Sequence, residues 1–270
     1  MARRRRGEVE RGSCTALVTG AAKGIGRCYA DRLASLGYDI VAVDVDAAVE
    51  QAAAEISRRY GVRCTSRICD MARLDAAEDL FAWTCGEGIA VDVLVNNAGI
   101  FSFLDVLSTP VERIRRIVLL HDMTTTTMCR LYGEEMARRG GGRILNMSSY
   151  SIWMPFPGLS LYSASKAYLK SFSVAFSKEV RERGVSVTAV CPAGIATDLY
   201  GLSPRWQKIG LRLGILSSAD SCARRGLRAM WKGRRCVVPD WWFRLFIPIC
   251  QCMPRPLLGW LRRYTLKFQK

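Results

Sequence analysis

Short apolar runs alternate with amphipathic stretches along most of this chain, and that alternation predicts its architecture. Residues 14–19 (CTALVT) form a compact run rich in β-formers. The glycine-rich turn GAAKGIG follows at once, then a helical pattern over 27–36 that Gly37 stops. Residues 38–46 (YDIVAVDVD) read as a second buried strand, completing a strand–turn–helix–strand unit. Next come a helix over 47–60 with Gly61 as its stop, a strand over 62–70, a helix over 74–85 and a strand with its loop over 91–99. The pattern then predicts one long helix over 111–139, ended by Gly140–Gly142, and a strand over 143–149. A helix over 163–184, a strand over 185–192, a helix over 219–232 and a seventh strand over 234–240 complete the series.

Near-continuous apolar strands separated by helices belong to a parallel sheet covered on both faces. The expected fold class is therefore α/β, a doubly wound, Rossmann-like parallel sheet that binds ligands at the carboxyl ends of its strands. This domain is expected over 13–240, with a substrate lid region at 198–232. A basic tail, 1–12, precedes it, and a basic, aromatic extension, 241–270, follows.

Composition narrows the picture. Half of the 270 residues are hydrophobic, enough for one large core, yet no run of 18 apolar residues suggests a membrane span. Nor does an apolar signal core follow Arg3–Arg6, so a cytoplasmic protein is expected. The net charge of +16 sits largely in Arg3–Arg6 and from Arg205 onward, without a nucleic-acid-binding motif, and no nucleic-acid partner is expected. Eleven cysteines without metal-ligand spacing and a single histidine predict reduced thiols and no metal site.

The chemistry concentrates in two places. Thr19-Gly20-Ala21-Ala22-Lys23-Gly24-Ile25-Gly26 lies between a strand and a helix. Glycines there let backbone N–H groups approach a pyrophosphate at a helix N-terminus. Asp44, at the end of the second strand, suits the adenosine ribose hydroxyls and repels a 2′-phosphate, which favours NAD over NADP. Lys23, inside the turn, pulls the other way. The second place is the pair Tyr162 and Lys166, four apart on one helix face, where an ammonium stabilises phenolate and makes the phenol a usable proton carrier.

With TGxxxGIG at Thr19–Gly26, NNAG at Asn96–Gly99, and YxxxK at Tyr162–Lys166, the chain resembles the short-chain dehydrogenase/reductase family over roughly residues 14–240. The resemblance implies an NAD(P)-dependent oxidoreductase that interconverts an alcohol and a carbonyl. Ser149 would orient the substrate oxygen, Tyr162 would move its proton, and Lys166 would tune Tyr162 and bind the nicotinamide ribose. Asp70 would contact adenine, Asn97, Ala98 and Gly99 would line the nicotinamide-ribose side, and Pro192 and Thr197 would close over the carboxamide. Where the family usually carries an asparagine of a proton relay, this chain has His121; it either replaces the relay or is a helix histidine satisfied locally. That departure leaves open a second reading, a nucleotide-binding relative with little turnover that acts as a sensor or scaffold. A homodimer or homotetramer is implied as well. Leu199, Tyr200, Leu202, Trp206, Ile209, Leu211, Leu213 and Ile215, with Phe156 and Leu159, suggest a lipophilic substrate. Trp241, Trp242, Phe243, Phe246 and Trp260, interspersed with Arg244, Arg255, Arg262, Arg263, Lys267 and Lys270, suit a membrane interface, a dimer contact or a pocket cover. Pro248, Pro254 and Pro256 argue against a long helix there.

Overall fold

The computed structural model describes residues 10, 12–154, 156–196, 204–212, 216–240, 242–252, 254 and 256–259. Arg3–Arg6, Thr197, Leu199, Tyr200, Leu202, Leu213, Ile215, Trp241, Arg255, Trp260, Arg262, Arg263, Lys267 and Lys270 lie outside the described residues, as does the side chain of Trp206.

Strand and helix alternate from β1 (Thr15–Thr19), α1 (Gly24–Ala34) and β2 (Asp39–Asp44) through α2 (Ala48–Tyr60), β3 (Cys64–Ile68), α3 (Ala76–Gly86) and β4 (Val91–Asn96). The chain continues with α4 (Val111–Val118), α5 (Thr125–Arg138), β5 (Gly142–Met147), α6 (Ser160–Glu179) and β6 (Val185–Val190). After β7 (Ile195–Ala196), α7 (Pro204–Arg212) and β8 (Ser217–Ser218) come α8 (Ala219–Trp231), β9 (Cys236–Val237) and α9 (Phe243–Gln251). Seven strands form one parallel sheet in the order β3-β2-β1-β4-β5-β6-β9, and β7 pairs with β8 separately. The doubly wound sheet expected from the hydrophobic pattern is present, and β9 is its seventh strand.

The strands are apolar throughout because both faces are buried. Ala16 and Val18 point toward α1 and α8, where they meet Tyr29, Leu33, Leu227 and Met230. Leu17 points the other way, toward Leu80 of α3 and Met128, Tyr132 and Met136 of α5. The chain moves from β1 outward to β3, then returns to the opposite side of β1 as β4. Their carboxyl ends therefore open the crevice where such sheets bind ligands.

The long helix expected over 111–139 is divided. Residues Leu119–Thr124 form a π-helical turn between α4 and α5. Thr124 closes this turn, and Thr125–Thr127 open α5 as regular helix despite their β-branched side chains. The widened turn buries Leu120, His121 and Thr124, and turns of this kind recur at functional sites. In the extension, α9 is nine residues long and continues through Pro248, ending where the Cys252 N–H bonds the Pro248 carbonyl. Among the described residues, no helix is long and apolar enough to cross a membrane.

Candidate active site

The loops that leave β1 and β4 are bound to each other. Thr19 Oγ1 accepts the N–H groups of Asn97 and Ala98, each at 3.0 Å. The Asn97 amide in turn donates to the carbonyls of Thr19 at 3.0 Å and Gly20 at 3.2 Å. Asn97 thus shapes the glycine turn directly, a role its place in the NNAG motif did not reveal. Gly20 takes φ +69°, and a Cβ there would lie 2.8 Å from the Asn97 amide nitrogen. A Cβ on Gly26 would collide with the Gly20 carbonyl oxygen, so its absence lets α1 dock against the end of β1.

Lys23, Gly24 and Ile25 start α1, which has neither a side-chain cap nor an acidic residue in its first turn. Its N–H groups and positive dipole end are left for an anion. A cradle that Cβ atoms would fill, at an uncapped helix N-terminus, fits the pyrophosphate of a dinucleotide.

Asp44 accepts the N–H groups of Ala22 at 2.9 Å and Asp46 at 3.0 Å, tying the end of β2 to the same turn. The Lys23 ammonium lies 3.3 Å from Asp46, on the surface. Asp46 is a second carboxylate beside the one expected to meet ribose, and the DVD spacing carried that signal. The Ala48 N–H, then Lys23, hold its carboxyl below the ordinary range. Asp70 accepts the Ala72 N–H at 3.0 Å and pairs with Arg116 at 3.2 Å.

The second half of the site lies at the ends of β5 and α6. Ser149 Oγ accepts the Ser151 N–H at 3.1 Å, capping a 3₁₀ turn over Tyr150–Trp153. That bond uses an oxygen lone pair and keeps the hydroxyl proton for donation. Tyr162 is buried, with Phe101 edge-on at a ring separation of 5.1 Å and His121 at 6.0 Å. Lys166 Nζ sits 5.8 Å from the Tyr162 ring centroid and donates to the Met147 carbonyl at 3.0 Å. Ser148 Oγ donates to the Lys166 carbonyl at 2.7 Å, so β5 grips this lysine by side chain and backbone.

Burial pushes the Lys166 ammonium down to about 8, against a smaller opposing pull from Asp122. Burial likewise raises the Asp122 carboxyl to about 6, with Lys166 opposing. Asp122 Oδ1 is buried with no hydrogen-bond partner among the described residues. Between pH 8 and 10.5 the unfolded chain keeps the lysine proton that the native state releases, so at this site rising pH favours the fold. Lys166→Met removes that dependence. The melting temperature of the variant relative to wild type is expected to fall as pH rises through this window. A difference that stays constant in melts between pH 7 and 10.5 would contradict it.

His121 is fully buried, and both ring nitrogens are bonded. Ser165 Oγ donates to the Tyr162 carbonyl at 2.9 Å, so at its 2.9 Å contact with His121 Nδ1 the hydroxyl oxygen receives the imidazole proton. Nε2 then accepts the Ile100 N–H at 3.0 Å. Burial first, and Lys166 second, hold the imidazole pKa well below its ordinary value. A Cβ on Gly99 would sit 3.1 Å from His121 Nε2 and 3.4 Å from Lys166 Nζ, so the last glycine of NNAG leaves room for both.

Beneath these groups lies a buried polar chain. Asn96 donates to Asn146 Oδ1 at 2.8 Å, and Asn146 donates to Ser173 Oγ at 2.9 Å, joining β4, β5 and α6 under the site. Residues 14–208 match the family model for short-chain dehydrogenases. The chain belongs to the short-chain dehydrogenase family.

Over 184 residues this short-chain dehydrogenase is 36% identical to the probable oxidoreductase EphD of Mycobacterium tuberculosis, covering 67% of the chain and 31% of that protein. It is 34% identical over 200 residues to the very-long-chain 3-oxoacyl-CoA reductase of Bos taurus, covering 72% of the chain and 63% of the relative. The chain therefore spans less than two thirds of either relative. Among solved structures it is similar to a short-chain dehydrogenase from Sphingobium yanoikuyae in complex with NADPH. The TM-score is 0.75 at 26% identity, covering 86% of this chain and 91% of that one.

In this short-chain dehydrogenase the segment after β6 packs behind Ser149. The Pro192 carbonyl accepts the Tyr150 N–H at 2.8 Å, and the Gly194 carbonyl accepts the Ser217 N–H at 2.9 Å. Asp46, Phe101, Asp122, Asn146, Ser148, Ser165 and Ser173 join the site without having been singled out in the sequence. Only Asn146, a lone amide inside the apolar strand RILNMSS, and Asp46 carried a local signal.

Proposed function

We propose that the protein is an NAD(P)-dependent oxidoreductase interconverting a secondary alcohol and a ketone, with NAD preferred and a lipophilic substrate. The observation that carries this reading is the Lys166 ammonium, buried 5.8 Å from the Tyr162 ring on one face of α6, beside Gly99 and the end of β5. The glycine turn, Asp44 and the Asn97–Ala98–Gly99 loop would hold the nicotinamide nucleotide, which when bound supplies or accepts a hydride at the substrate carbon. Ser149 donates its hydroxyl proton toward the substrate oxygen and steadies charge that develops there. Tyr162 gives or takes the proton on that oxygen, and Lys166, by its charge, favours the phenolate. His121, neutral and bonded at both nitrogens, acts by holding Ile100 and Ser165 in place rather than by carrying protons. Phe101, against Tyr162, and buried Leu159 supply apolar wall for a lipophilic ketone. Similarity to a 3-oxoacyl-CoA reductase supports the same substrate character.

The second reading, a nucleotide-binding protein with little turnover, is favoured by His121, which stands where the family usually carries its relay asparagine and has both ring nitrogens bonded within the protein. One assay separates the two. Turnover of a panel of lipophilic secondary alcohols or ketones with NAD(H) and NADP(H) supports the enzyme, whereas nucleotide binding without turnover across the panel sinks it.

Two carboxylates, Asp44 and Asp46, the latter paired with Lys23, support NAD, because a 2′-phosphate would add negative charge beside them. The relative from Sphingobium yanoikuyae, bound to NADPH, illustrates the opposite choice. Asp44→Ser is expected to shift the ratio of kcat/KM for NAD over NADP toward NADP by about ten-fold, equivalent to ~1.4 kcal/mol. An unchanged ratio would remove Asp44 from cofactor selection. Contact of 241–270 with a membrane is supported by Leu245, Phe246 and Ile249, which α9 exposes, and assembly into a homo-oligomer by exposed Val118, Met123 and Tyr168 along α4, the π turn and α6.

A further inference from the structure

A groove of about 490 Å³ lies between the last turns of α1 and α8, away from the crevice described above. Its nearest residue on α1, Arg32, is eight residues from Gly24, about 12 Å along the axis at ~1.5 Å per residue. Leu36 and Trp231, both half-buried against the core, form an apolar floor. Exposed Arg224, Arg228 and Lys232 form the rim; spaced four apart, they fall on one face of α8 and its cap. Arg32 is held at the edge by Asp220. No acidic residue lines the groove, and the three rim cations have no ion-pair partner among the described residues.

A row of like charges four apart destabilises a helix. The dipole at the C-terminus of α8 offsets part of this for Arg228 and Lys232. It explains neither Arg224 nor an indole set in a concave floor. Pocket volumes for small ligands run about 300–1,000 Å³, and this groove falls within that span. Its chemistry has two parts: an apolar floor, and several cations along one edge with no carboxylate paired to them among the described residues. A small inorganic anion would leave the floor unused, and a neutral amphiphile would leave the cations unused. A phosphate monoester carries more than one negative charge and several acceptor oxygens, which guanidinium groups bind with directed, charge-assisted hydrogen bonds.

We infer that the α1–α8 groove is a binding site for a phosphate monoester with an apolar body, separate from the proposed catalytic site. The head meets Arg224, Arg228 and Lys232, and the body lies on Trp231 and Leu36. This site does not depend on the proposed reaction.

The test is calorimetric titration of the full chain with octyl phosphate below its micellar concentration, with inorganic phosphate and octyl glucoside as separate titrants. Vesicles of phosphatidylcholine containing phosphatidic acid form the fourth arm. Saturable one-site binding of octyl phosphate is expected, weakening at least ten-fold in Arg224→Gln/Arg228→Gln, with at least ten-fold weaker binding of the other two titrants. Both substituted side chains are exposed, so the fold and the NAD(P)-linked rate should persist and report an intact protein. Equal octyl phosphate affinity in wild type and the double variant overturns the site. Inorganic phosphate binding as tightly as octyl phosphate overturns the role of the apolar floor, and with it the ligand class. Vesicle binding without octyl phosphate binding replaces the groove by a general surface attraction to membranes.

Discussion

Tyr162→Phe is expected to lower kcat/KM for every alcohol and ketone the protein turns over by about 10²–10⁴-fold, the usual contribution of a positioned proton carrier. The substitution is close to isosteric. The ring keeps its edge contact with Phe101 and its place beside His121, and Lys166 keeps the carbonyl of Met147. Nucleotide affinity, proposed to rest on the glycine turn and the β2 end, should change little in calorimetry, so the loss should appear in turnover and not in cofactor binding. What the variant lacks is the atom proposed to exchange a proton with the substrate oxygen. Ser149 can still donate a hydrogen bond there, but a serine hydroxyl is too weak an acid to complete the transfer near neutrality. Equal slow rates in wild type and variant, with intact nucleotide binding, would turn the reading toward the sensor or scaffold.

The part of the site carried by local pattern is legible in the sequence itself. The β1–turn–α1–β2 unit follows from apolar periodicity and glycine placement, and Tyr162 and Lys166 share a helix face by their spacing alone. Other features depend on residues far apart in the chain, and no window of sequence displays them. His121 reads as a relay candidate when taken singly. Its tautomer is set by Ile100, 21 residues before it, and Ser165, 44 residues after, while burial and then Lys166 hold its pKa well below the ordinary value. The π turn interrupts an otherwise regular amphipathic stretch, which a period of 3.6 cannot distinguish from continuous helix. Asn96 and Asn146 sit in buried strands, where isolated amides usually weigh against a strand assignment. They are tolerated because each faces the other, and Asn146 also faces Ser173, across neighbouring elements. Asp122 is hidden for the same reason: its burial and its pull on Lys166 exist only after α4, α5 and α6 have packed.

Gly26→Ala tests the other half of the site, and two effects of opposite sign compete there. Alanine in a helix is favoured over glycine by about 1 kcal/mol, so propensity alone predicts a more stable α1. Against this, a Cβ at residue 26 would collide with the Gly20 carbonyl oxygen, and the Asn97 amide that donates to that carbonyl would be crowded too. The first obstacle is backbone, and the second is a side-chain amide pinned to the Thr19 and Gly20 carbonyls. The backbone of the turn must move, and the Thr19–Asn97–Ala98 bonds that join the β1 and β4 loops must move with it. Overpacking of this kind costs about 1–3 kcal/mol, enough to outweigh the gain in propensity, and the displaced N–H groups are those offered to the pyrophosphate. The expected result is a lower melting temperature together with about 10–100-fold weaker binding of the nicotinamide nucleotide. Gly86→Ala supplies the control, since Gly86 ends α3 and a Cβ there meets nothing within 4 Å. That variant should be unchanged or stabilised by up to about 1 kcal/mol and should bind nucleotide as wild type does. If Gly26→Ala behaved like Gly86→Ala in both melting and calorimetry, close approach of α1 to the end of β1 would not be what creates the cofactor cradle.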